Sequence, residues 1–148
     1  MEPQQSFNKD AYQVAWNWFR VHADQRMDLF KTFVVITLGL TAGYISLYNL
    51  KSYAAACGVA ALGFVLSAAF KFLDIRVAAL LKFGEAALKA EERRLRTEVG
   101  YDEILIVANS QPASLGFLTY RRILNVIYMG ASVLFIAGFI AGYLPLRC

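Results

Sequence analysis

The chain is short of the residues that carry chemistry. It has one histidine, two cysteines and three prolines in 148 residues, and three long stretches hold no charge at all. One histidine and two cysteines cannot assemble a metal cluster. No Ser-His-Asp, Cys-His, HExxH, P-loop or GxGxxG arrangement occurs. No enzyme and no cofactor are expected. Cys57 lies among Ala and Gly, where a cysteine packs as a small hydrophobe. Cys148 is the last residue and could form an intermolecular disulfide. Proline is missing from residues 8–49 and from residues 53–98, so two long helices are uninterrupted.

What is present is apolar. The chain is 58% hydrophobic with a mean hydropathy of +0.46. Residues 32–50, 52–70 and 123–146 are free of charge. A helix needs about 20 mostly apolar residues to cross the hydrocarbon core. The expected fold is therefore an all-α membrane protein with three transmembrane helices, forming one membrane domain over residues 1–148. The first run starts too late and is too long for a cleavable signal peptide.

Lys and Arg set the orientation. Thirteen of the 15 fall before the first run or between the second and third; only Lys51 and Arg147 fall on the other side. This predicts an N-terminus in the cytoplasm and a C-terminus outside. The net charge of +4 follows from this topology and from anionic inner-leaflet lipid. Acidic residues are mixed among the bases, so no nucleic-acid partner is expected.

The helical pattern continues past the membrane. Asn8 suits an N-cap, and Tyr12, Ala15, Trp16, Phe19 and Ala23 recur at helical spacing. Ile75, Ala79, Leu80, Phe83, Ala87 and Leu88 extend the second stripe, with Glu85–Lys89 and Glu92–Arg96 as i,i+4 pairs. Two of the three helices thus extend, over residues 8–31 and 71–98, into a long cytoplasmic antiparallel hairpin. Reflecting the chain about residues 50–51 sets Arg26 opposite Asp74, and Asp28 within a turn of Arg76. These charges either bridge the hairpin structurally, the preferred reading, or form a gate at the membrane mouth. Trp16 and Phe19 face the stripe and are expected to pack; Trp18 is left open. Residues 99–122 read as a cytoplasmic loop, with a short apolar run at residues 104–107 and Pro112 opposing a fourth span.

Inside the spans, Gly39–Gly43 and Gly138–Gly142 are GxxxG pairs that admit close helix packing. Several small-residue faces suggest more helix contact than one protomer uses, and hence a homo-oligomer. Opposite Gly39 and Gly43 lie Thr37, Thr41, Tyr44 and Tyr48. That stripe could line a pore, or bond its own carbonyls and a neighbouring helix, which is the preferred reading. The spans carry no charge, which argues against proton relays and charge-coupled transport.

Two segments carry a family resemblance. One is His22-Ala23-Asp24-Gln25-Arg26-Met27 before an aromatic-rich span. The other is Phe72-Leu73-Asp74-Ile75-Arg76, followed by Leu80, Gly84-Glu85, Leu88 and Glu91 or Glu92. Together they resemble the RipA-like octameric family of small bacterial inner-membrane proteins. That family is similar in architecture to the membrane-pore accessory protein of type VI-B CRISPR systems. The resemblance implies a ring-like homo-oligomer, an octamer being the expected size, with a central opening and a cytoplasmic helical collar. His22, Gln25, Arg26, Asp74 and Glu85 are its motif positions. The CRISPR-linked relative has been discussed as HEPN-like, but Arg20-Val21-His22 lacks the wider Arg–His spacing of such nucleases. Two functions are expected in order. The first is a pore or channel-like assembly that permeabilises the membrane in stress or phage defence. The second is a non-conducting scaffold whose collar docks a cytoplasmic protein partner. Membrane lipid and further copies of the chain are the other partners expected.

Overall fold

A computed structural model describes residues 8–99 and 120–147. The apolar run at residues 104–107 and the loop around Pro112 lie outside them, as does Cys148. The described residues form three helices, α1 (Lys9–Asn49), α2 (Tyr53–Val99) and α3 (Tyr120–Arg147). Each is long and apolar enough to cross a membrane. The chain is thus all-helical with three candidate spans, as the charge-free runs predict.

The ends of the helices have clear local causes. The Asn8 side-chain oxygen accepts from the backbone N–H groups of Asp10 and Ala11, capping α1. At the other end, Ser52 N–H donates to the Leu47 carbonyl and Lys51 N–H to the Tyr48 carbonyl. Lys51 has a φ of 58°. This is a Schellman stop, with lysine where glycine is usual. Ser52 then opens α2, its carbonyl accepting from Ala56 N–H.

Contacts divide the chain into two compact units. Of the described residues, the first comprises 8–26 and 76–99, and the second 27–75 and 120–147.

In the first unit, the start of α1 packs on the second half of α2. Leu88, Val77 and Ala15 are buried. Gly84 permits the approach: a Cβ there would lie 3.1 Å from the Trp18 ring and 3.3 Å from Phe19 Cβ. The Trp18 indole N–H donates to the Leu80 carbonyl at 3.4 Å. Trp16 and Trp18 are similarly exposed, at 45% and 47%; Trp16 stacks on Phe19, and Trp18 lies over Gly84, which leaves room beneath it.

The second unit is a three-helix bundle around Phe33, Leu124 and Tyr128, with Phe30, Val34, Phe70 and Ala131 packed against them. The Phe33 ring meets Tyr128 edge-on at 4.6 Å and Phe70 at 5.5 Å. Towards the other end, α3 settles into α2 through missing side chains. A Cβ on Gly63 would lie 2.5 Å from the Phe135 ring, and one on Gly142 would lie 2.9 Å from Cys57 Sγ. Ala56, Cys57 and Ala60 are buried there. Despite this core, only 6% of the apolar span of α1 is buried, against 28% for α2 and 17% for α3. Most of the apolar surface therefore faces outward, as expected of helices whose solvent is lipid.

Candidate functional site

The sequence points to three groups of side chains: the Thr/Tyr stripe, the two GxxxG pairs and the charged motif residues.

The Thr/Tyr stripe belongs to the second unit and is largely committed inside the protomer. Thr41 Oγ1 donates to the Thr37 carbonyl at 2.8 Å, one turn back on α1. Tyr44 reaches across to α3 and donates to the Gly138 carbonyl at 2.7 Å. Gly138 makes this possible, since a Cβ there would stand 3.3 Å from the Tyr44 ring. The Tyr44, Tyr48 and Tyr53 rings follow in sequence, stacked at 5.8 Å and then edge-on at 5.4 Å. Thr41 and Tyr44 also line an apolar groove of about 390 Å³ with Ile45, Leu134, Phe135, Ala137, Gly138 and Ala141.

The two GxxxG pairs divide their roles. Gly138 and Gly142 seat α3 against Tyr44 and Cys57 of the same chain. Gly39 and Gly43 have no neighbour within 4 Å of where a Cβ would stand. That face of α1 is open among the described residues.

The motif residues are engaged in several distinct ways. His22 is half-buried; its Nδ1 lies 2.8 Å from the Trp18 carbonyl, and its ring lies 4.4 Å from the indole. Glu85 pairs with Lys89 at 2.6 Å, one turn along α2. Gln25 is exposed. Of the charges expected at a membrane mouth, Arg26 is half-buried and Asp74 is buried, and neither is a free charge. Asp28 is exposed and pairs with Lys31 at 3.3 Å, and Arg76 is exposed.

Two features escape sequence reasoning. Glu91 is buried, accepts from Asn8 N–H at 3.4 Å and pairs with Arg94. A buried carboxylate at the start of α1 complements the positive end of that helix. Gly63 carries no motif signal; only the buried Phe135 ring opposite shows why the position is bare. Among the described residues, no group of three or more His, Cys, Asp or Glu side chains could hold a metal ion. No protein-family model matches this chain, and no curated protein or solved structure matches it either.

Proposed function

We propose that this chain is a self-associating inner-membrane protein, and that its homo-oligomer is a channel-like ring held shut at rest by apolar side chains. The N-terminus would lie in the cytoplasm, with the start of α1 and the second half of α2 forming a collar. The observation that carries self-association is the open Gly39–Gly43 face on α1, a helix whose span is only 6% buried. Small residues let a second helix approach closely in lipid, where packing replaces the hydrophobic effect as the driving force. The hairpin is supported by contacts within about one turn of the reflection register: Asn8 with Glu91, Trp18 with Leu80, and Tyr48 with Tyr53. The ring and its channel-like action draw on the resemblance to the RipA-like family. With no charge in any span, such a channel would open by wetting an apolar constriction and would select poorly among ions.

A specific observation favours the second reading, a non-conducting scaffold. The Thr41 and Tyr44 hydroxyls, the best candidates for a polar wall, are already donated within the protomer. Cryo-EM of the protein in nanodiscs, with dye efflux from vesicles, tests both readings. A ring with a water-accessible axis and dye release upholds the channel. A ring with a plugged axis and no release leaves the scaffold, and the search turns to the partner docked on its collar. A monomer overturns the proposal.

A further inference from the structure

We propose that the seam between α2 and α3 in the second unit binds the headgroup of an anionic phospholipid, with Lys71 as the cationic anchor. Lys71 follows the uncharged run of residues 52–70, so its stem leaves α2 at the edge of the apolar span. A lysine at such an edge ordinarily snorkels to water. Here its ammonium lies 2.9 Å from Met129 Sδ. Met129 belongs to the uncharged run of residues 123–146, so the ammonium is drawn alongside apolar α3. A thioether is a weak, neutral acceptor, whereas an ammonium has three donors and a full charge.

Two of the six lysines have an acidic partner in the structure. Lys31 pairs with Asp28 and Lys89 with Glu85. Among the described residues, no carboxylate pairs with Lys71. The contact is exposed and gives the ammonium no counter-charge, so it stands open to an anion from outside the bundle. A lipid phosphate on the same side of the membrane supplies that charge without drawing the lysine away from the helices. The surface beside it suits the rest of such a molecule. Val126, Met129 and Val133 are 68%, 46% and 62% exposed at helical spacing on α3, a strip along which an acyl chain can lie. Basic side chains between membrane helices are a recurrent device for holding anionic headgroups. A free phosphate ion would meet the charge but leave the apolar strip bare, so the lipid is the better fit.

The test uses the full chain in nanodiscs of phosphatidylcholine mixed with phosphatidylglycerol, and counts retained phosphatidylglycerol per protomer by native mass spectrometry. The wild type should retain it over phosphatidylcholine. Lys71→Met should lower retention about fivefold, the scale of one basic side chain at an anionic surface, and Lys71→Arg should preserve it. Lys82→Met removes an exposed charge of the first unit and should change nothing. Unchanged helical circular dichroism confirms that each variant is folded, and Lys71→Gln provides a second neutral variant. The proposal is overturned if Lys71→Met and Lys71→Gln retain as much lipid as wild type, or if Lys82→Met loses as much as they do. Displacement of the lipid by inorganic phosphate would also overturn it, since the site would then belong to a small anion.

Discussion

Single residues in this chain matter most where a side chain is missing or a backbone angle is unusual. Lys51 holds a left-handed φ of 58° at the stop of α1, a conformation that costs any residue with a Cβ and suits glycine. Lys51→Gly should therefore stabilise the protein by about 1 kcal/mol, offset in part by a more flexible unfolded chain. The thermal midpoint in mild detergent should rise; a fall would mean that the lysine side chain makes a contact of greater worth than the strain. Gly63 is the opposite case. A single methyl there would stand 2.5 Å from the ring of buried Phe135, so Gly63→Ala overpacks the α2–α3 seam. A loss of about 1–3 kcal/mol is expected. The double variant Gly63→Ala with Phe135→Leu should recover part of it, because the new methyl needs the space the ring occupies. No recovery would place the cost in the helix backbone rather than in the ring.

At the scale of the element, α1 has two faces within its span, and they are used differently. One turns to α3 through the Tyr44 hydroxyl and Gly138, and the other presents Gly39 and Gly43 to nothing among the described residues. Tyr44→Phe removes a bond between helices that in a membrane is worth about 0.6–2 kcal/mol. It should lower the detergent midpoint while leaving any vesicle permeability unchanged, because its hydroxyl already faces the protomer's own helix. A changed permeability would return Tyr44 to a pore wall. Much of this was legible in the sequence. The charge-free runs mark where α1, α2 and α3 are apolar enough to cross a membrane, and the small residues after Tyr53 announce close packing. What was not legible was which GxxxG pair is spent internally. Residue type is the same at Gly39 and Gly138, and only the position of Tyr44 on the facing helix separates them. The contact of Trp18 with α2 was hidden for the same reason, since the room for it is made by Gly84 on another helix. The Schellman geometry at Lys51 carried no sequence signal, since such a stop is normally read from a glycine.

For the whole molecule, the decisive property is how little apolar surface one chain covers. Exposed Val35, Leu38 and Ile45 on α1 and Val133, Leu134 and Ile140 on α3 leave the bundle apolar on its outside. Lipid satisfies such a surface, so exposure alone does not require a second copy. The Gly39–Gly43 face does distinguish the two cases, because lipid gains nothing from a missing side chain, whereas a helix backbone gains close approach. Gly39→Leu with Gly43→Leu therefore separates folding from assembly. Among the described residues nothing lies within 4 Å of either added Cβ, so the helical signal and the detergent midpoint of the isolated chain should stay within about 0.5 kcal/mol of wild type. The proposed oligomer, sized by light scattering in the same detergent, should dissociate. Placing the same leucines at Gly138 and Gly142 should do the reverse: the bundle itself should weaken, because both positions are filled by Tyr44 and Cys57 of the same chain. If the Gly39 and Gly43 variant keeps its assembled size, self-association runs through another apolar face, and the channel and scaffold readings both lose the contact on which they are built.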